Sequence, residues 1–153
     1  MQYVRMSLAY SATTAQEVVD ASKDSAKRKI TEMKYALQVE KELTKQQILE
    51  RYLNILELGP RVFGLRAAAD YWFNVSPREL NIKQAAFLAA LTSQPTAMAR
   101  RIRKAGGLDA DSAERVAVVL RAMRRDGVLS PETFEEAVHQ PMYFAASAVP
   151  RER

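Results

Sequence analysis

At 153 residues, with 48% apolar and 27% charged side chains, the chain has the length and composition of one globular domain rather than of a disordered segment. It contains no cysteine, which excludes disulfide frameworks, thiolate metal sites and cysteine nucleophiles, and no run approaches the roughly eighteen apolar residues of a bilayer span. The net charge of +5 is unevenly placed: residues 1–50 hold eight basic and seven acidic side chains, whereas residues 100–125 hold eight basic (Arg100, Arg101, Arg103, Lys104, Arg115, Arg121, Arg124 and Arg125) against three acidic. That surplus suits phospholipid headgroups, pyrophosphates or nucleic acid, or simply a solvated helix face.

Met1 to Gln16 lacks the basic start and apolar core of a secretory signal. Thr14 with Glu17 forms a capping-box pattern and opens a short helix through about Ser22. A longer helix is expected from about Ser25 to Leu43, with Ala26, Ile30, Met33 and Leu37 as its apolar stripe and Arg28, Lys29, Glu32 and Lys34 mostly off it. Thr44 and Gln47 repeat the capping pattern and start a third helix, apolar enough at Ile48, Leu49, Tyr52, Leu53, Ile55 and Leu56 to be well buried, which Gly59-Pro60 ends. Gly64 precedes an alanine-rich helix through Phe73 whose small residues admit a close neighbour.

Further along, Ser76-Pro77-Arg78-Glu79 and Asn81 with Gln84 are start signals, the second leading Ala85 to Leu91 into the core. Ser93 to Ala97, containing Pro95, reads as a loop. Asp111 or Ser112 caps a helix carrying Val116, Val119, Leu120 and Met123, which Gly127 ends, and Ser130-Pro131-Glu132 begins a last helix that stops before Pro141. The tail after Phe144 reads as loose. No segment sustains strand alternation, so the fold class is all-α.

The densest polar cluster is Arg28-Lys29-Ile30-Thr31-Glu32. On a helix Arg28 and Glu32 are one turn apart and Lys29 is three residues from Glu32. Two cations beside one carboxylate can hold an anionic group while the carboxylate assists a leaving group, because arginine offers a planar fork to phosphate oxygens and lysine a point charge. The same residues can equally form a surface ion pair worth only about 0.3–0.5 kcal/mol.

Taken in order, Arg28-Lys29-x-x-Glu32, then Lys45-x-x-Ile48-Leu49-Glu50-x-Tyr52-Leu53-Asn54, then Gly64-Leu65-x-Ala67-Ala68-Ala69-x-Tyr71-x-Phe73 resemble three successive motifs of glycosyltransferase family 51. This family comprises the peptidoglycan glycosyltransferase (transglycosylase) domains of class A penicillin-binding proteins and their monofunctional counterparts. Asn81-Ile82-x-Gln84-Ala85-Ala86-x-Leu88-Ala89 followed by Pro95 is similar to the stretch that comes next. Met1-Gln2-Tyr3-Val4-Arg5 looks like the end of the family's Gly-Gly-Ser-Thr-x-Thr-Gln-Gln motif and its following lysine, here Arg5. Two positions depart from the pattern: Pro60-Arg61 stands where a small glycine-containing turn is usual, and Met6 where asparagine is common.

The resemblance implies a lysozyme-like helical domain, incomplete at its N-terminus, because the family's first acidic motif has no match here. His139, the single histidine, has no Glu-Asp pair before it. It also implies a division into residues 1–100 as the C-terminal part of a transglycosylase domain, 101–144 as its trailing helices and 145–153 as a loose tail. The implied chemistry is polymerisation of lipid II into a nascent glycan strand with release of undecaprenyl pyrophosphate. Glu32 would be the second carboxylate, at the pyrophosphate end, and Arg28, Lys29, Arg5 and Gln2 would contact the pyrophosphate. A divalent cation such as magnesium is implied as a partner of Glu32.

Glu50 and Asn54, four apart on a mostly apolar helix, are expected to satisfy buried polar partners or a helix end. Gly64 serves a turn or close packing, and Tyr71, Trp72 and Phe73 belong to the core rather than to a sugar platform. The implied setting is the extracytoplasmic face of the cytoplasmic membrane, with the membrane surface and cell-wall synthesis proteins as partners and no nucleic acid. Because the upstream catalytic glutamate has no counterpart in these residues, the chain by itself is expected to be inactive. No serine is followed three residues later by lysine and no Lys-Thr-Gly occurs, so penicillin binding is not expected. The alternative is a non-catalytic helical module that uses Arg28, Lys29 and the basic 100–125 segment to hold lipid-linked pyrophosphate or anionic membrane. A basic nucleic-acid binder ranks last, since it gives the ordered motifs no reason to exist.

Overall fold

The computed structural model describes Tyr3, Met6, Ser7 and residues 26–150, with residues 26–28 described by their backbone alone. The Thr14–Glu17 capping box, Gln2, Arg5 and residues 151–153 lie outside the described residues. Among the described residues there are seven α-helices: α1 (Ala26–Glu42), α2 (Lys45–Ile55), α3 (Leu65–Phe73), α4 (Ile82–Leu91), α5 (Pro95–Ala105), α6 (Ala110–Arg125) and α7 (Pro131–His139). The only extended pairing among them is an isolated antiparallel bridge, Glu57 with Phe63. The all-α expectation therefore holds. The chain divides into two compact units, Met1–Leu56 and Glu57–Arg153.

In the first unit, Thr44 caps α2: its hydroxyl accepts from the Gln47 N–H at 3.2 Å, and the Gln47 side chain accepts from the Thr44 N–H at 2.9 Å. The helix ends at Ile55, earlier than Gly59-Pro60 suggested. It is also not well buried. Its Ile48, Tyr52, Leu53 and Ile55 are half-buried and Leu49 is 55% exposed. Apolar positions 48, 52 and 55 share one stripe, but Leu49 lies about 100° round the helix from Ile48, and apolar content alone does not supply a neighbour to cover it.

The second unit is built around Trp72. Its indole N–H donates to the Leu58 carbonyl at 2.6 Å in a buried setting, and its ring meets Tyr71, Phe87 and Phe144 edge-on at centroid distances of 5.2, 5.0 and 5.8 Å. Phe73 adds contacts to Phe87 and Phe144. Such edge-to-face pairs add to plain area burial because the positive ring edge meets the negative face. Ala68 and Ala69 are fully buried, so the small residues of α3 are where close packing occurs. Gly64, the N-cap of α3, has φ +84°, a region open to glycine and costly for other residues.

The Leu58 carbonyl is presented by a tight turn in which Leu58 N–H bonds to Val62 O and Val62 N–H to Gly59 O. Arg61, in the segment where the family favours a glycine-containing turn, takes φ +61°. The left-handed backbone is therefore kept with a residue that pays for it in steric strain.

Two expectations about the second unit are corrected. The loop expected over Ser93–Ala97 is confined to Ser93 and Gln94: Pro95 occupies the first turn of α5, where its missing N–H is no loss, and Met98, Ala99 and Ile102 bury the inner face. The tail after Phe144 is not loose as far as Val149. Ala145 N–H bonds to Trp72 O at 2.8 Å, the Ser147 hydroxyl donates to Tyr71 O at 2.7 Å, and Ala148 and Val149 are buried. The open carbonyls at the C-terminal end of α3 supply acceptors that fix this segment.

Helix α4 packs chiefly against α6, and α6 against α7. The cap of α6 is Asp109 rather than Asp111 or Ser112: its carboxylate accepts from the Ser112 N–H at 3.2 Å and hydroxyl at 2.5 Å. Lys83 of α4 donates to the Val138 and Gln140 carbonyls at 2.7 and 2.8 Å, placing a cation on the negative end of α7.

Trp72→Phe removes the donor and leaves a buried carbonyl unpaired, so urea unfolding should show a loss of about 1–3 kcal/mol; an unchanged midpoint would contradict the role assigned to this bond. Burial pushes the Asp109 carboxyl up, but the Ser112 hydrogen bonds and the Arg101 charge outweigh it and hold its pKa below the ordinary carboxylate range. A lowered folded pKa stabilises above the unfolded value of about 3.9 and is lost as pH falls through the folded one. Asp109→Asn keeps a capping oxygen without titrating, so its thermal midpoint should fall less steeply between about pH 5 and 2 than that of the parent.

Candidate functional site

Helix α1 carries the candidate cluster, and its orientation is the main surprise of the fold. Ile30, Met33 and Leu37, the stripe expected to face inward, are 69%, 59% and 56% exposed, while Glu32 is only 7% exposed. The covered side of α1 is Glu32, Ala36 and Val39, continued by Leu43 just past its end, spaced four, three and four apart, with the last three half-buried. At about 100° per residue this face lies roughly 120° from the apolar one. Periodicity could not separate them, because positions 32, 36, 39 and 43 repeat with the same helical spacing as 26, 30, 33 and 37.

Glu32 and Ser112 are the buried polar side chains among the described residues, which makes Glu32 the buried carboxylate of that set. A carboxylate is rarely withdrawn from water without compensation. Lys29, three residues before it, is exposed. Ideal helix geometry puts positions 28 and 29 about 40° and 60° to either side of position 32. The side chain of Arg28 lies outside the described residues, as do Gln2 and Arg5.

Glu50 and Asn54 are both exposed on α2. Positions 50 and 54 lie off the 48, 52 and 55 stripe and face solvent. Tyr52, half-buried on that stripe, has its phenol pKa raised by desolvation, so it stays protonated at neutral pH. Gly64 acts through its backbone angle, as the turn reading anticipated. Trp72 and Phe73 are core residues, and Tyr71 is half-buried with its hydroxyl accepting from Arg103 at 2.7 Å.

Among the described residues no group of three or more His, Asp or Glu side chains could hold a metal ion. Glu32 alone is one hard oxygen ligand, which suits magnesium only where phosphate oxygens and water complete the shell. No helix among the described residues is long and apolar enough to cross a membrane.

A transglycosylase family profile matches residues 1–124. Penicillin-binding protein 1A of Aquifex aeolicus is 36% identical over 115 residues, 75% of this chain and 15% of its own length. Penicillin-binding protein 1A of Clostridium tetani is 33% identical over 112 residues, 73% of this chain and 14% of its own. The crystal structure of penicillin-binding protein 1A from Haemophilus influenzae superposes with a TM-score of 0.58 at 26% identity, covering 95% of this chain and 17% of that one. The chain thus spans 14–15% of the length of these two curated relatives.

The orientation of α1 is testable by stability alone. Leu37→Ala should cost less than about 0.5 kcal/mol in urea unfolding, as surface substitutions do. A loss of about 2–5 kcal/mol, the range for a buried leucine, would restore the inward-facing stripe.

Proposed function

This chain belongs to the transglycosylase family, and from that premise we propose that it is part of a peptidoglycan glycosyltransferase domain working on lipid II and a nascent glycan strand at the extracytoplasmic membrane face. The observation that carries the reading is Glu32, a carboxylate buried on a helix whose apolar stripe is exposed. A fold that buries a charge and exposes Ile30, Met33 and Leu37 spends stability that packing could have kept, as functional sites do.

In this reading the growing chain on its lipid pyrophosphate is the donor and lipid II brings the acceptor hydroxyl. The anomeric carbon inverts as the bond to the pyrophosphate oxygen breaks. Arg28 and Lys29 hold the diphosphate, with Arg5 and Gln2 beside them, and neutralise the charge that grows on the leaving oxygens. Glu32 orients that end of the donor. When magnesium is bound, Glu32 is the side chain that would hold it against the diphosphate, where the ion adds further charge neutralisation. Deprotonation of the acceptor hydroxyl needs a second carboxylate, which the family carries upstream of its Gly-Gly-Ser-Thr motif. General-base assistance is worth about 10²–10⁴ in rate, so with no carboxylate in that role donor binding is expected to persist and sustained transfer is not.

Binding of fluorescent lipid II in detergent and its polymerisation can be read on the same samples. The chain should bind lipid II, Arg28→Gln/Lys29→Gln should weaken binding by about tenfold or more, Glu32→Gln should keep it, and glycan product should stay at background for all three. Equal lipid II binding by the parent and the double variant would overturn the assignment of the cations, and steady polymer formation by Glu32→Gln would overturn that of the carboxylate.

A further inference from the structure

The basic surplus of residues 100–125 resolves, in the structure, into side chains with different fates. Arg121 pairs with Glu114 and Arg125 with Asp126 at 2.9 Å, both on the surface. Arg124 lies 5.1 Å over the Phe134 ring, a cation–π contact. Arg101 turns toward α6, 3.7 Å from Asp109 and 3.9 Å from Asp111.

Arg100, Arg103 and Lys104 behave otherwise. They sit at i, i+3 and i+4, one face of α5, and with Thr96, Ala99 and Pro60 they line a groove of about 630 Å³. No carboxylate lines it, and none of the three cations is ion-paired among the described residues. Arg103 is fixed by neutral groups only, donating to the Tyr71 hydroxyl at 2.7 Å and the Ala148 carbonyl at 3.4 Å, so its guanidinium is positioned while its charge stays uncompensated. The two arginine forks and one lysine point charge match phosphate oxygens in number and type. The volume falls in the range of small-molecule sites, about 300–1,000 Å³, which is far less than a nucleic-acid track requires.

We propose that this groove between the 57–63 turn and α5 is an anion site for a compact phosphate group, a free di- or monophosphate or the headgroup of an anionic phospholipid, held by Arg100, Arg103 and Lys104. The assignment is independent of the transferase reading, because it stands on α5, the turn and Tyr71 alone and requires no sugar transfer.

Titration of the full chain with inorganic pyrophosphate, followed by amide and arginine side-chain NMR, should shift resonances of Thr96 to Lys104. Arg100→Gln/Lys104→Gln removes two exposed cations and should weaken that binding by about tenfold or more. Arg121→Gln/Arg125→Gln removes the same charge elsewhere and should leave it unchanged. Sedimentation with phosphatidylglycerol vesicles, against phosphatidylcholine as reference, separates the two sources. Retention that is lost in Arg100→Gln/Lys104→Gln assigns a lipid headgroup, and pyrophosphate binding without retention assigns a free phosphate. Shifts confined to Arg28–Glu32, equal weakening by both double variants, or no binding of either probe would overturn the proposal.

Discussion

The second unit depends on one hydrogen bond inside an aromatic cluster, the Trp72 indole to the Leu58 carbonyl. A buried carbonyl beside a tight turn needs a donor, and a tryptophan needs a partner for its N–H when its ring is withdrawn from water. Each group solves the problem of the other. The same residue then accepts the Ala145 N–H on its own carbonyl and meets Phe87 and Phe144 edge-on. The turn, α3, α4 and the segment beyond α7 thereby converge on a single side chain. Pro60, one wall of the phosphate groove, is held in place through that turn, and Arg103, on the opposite wall, reaches Tyr71 and Ala148 at the edge of the cluster.

The first unit is organised by a different constraint. In α1 the local pattern and the realised packing disagree: three large apolar residues face out and one carboxylate faces in. Natural sequences are largely consistent from propensity to packing, and departures concentrate where function sets the requirement. Position 32 is also the acidic position of the Arg28-Lys29-x-x-Glu32 motif on which the proposed function rests.

Charge tells a parallel story in α5. A block of cations on a solvated face has little structural worth, and several residues of the 100–125 segment are spent in that way on nearby carboxylates or a phenylalanine ring. Three are not. The last three share a groove with no acidic wall, and the groups that orient Arg103 are neutral, which separates a built anion site from a generally basic surface.

Much of this was readable in the residues themselves. Capping boxes at Thr44 and Asn81 and the N-cap at Ser130 located helix starts because they are local chemistry, a side-chain oxygen meeting a backbone N–H within three residues. The all-α class, the glycine role of position 64 and the family motifs around Arg28, Lys29 and Glu32 were equally available. Tertiary structure decided what depends on distant partners. Pro95 marks a helix start instead of a loop only because Met98 and Ile102 have a core to enter. Residues 145–149 are docked because the end of α3 offers carbonyls some seventy residues away in sequence. The inward face of α1 is the one bearing Glu32 because periodicity fixes spacing along a helix, while the rotation of that helix about its axis is set only by what it packs against.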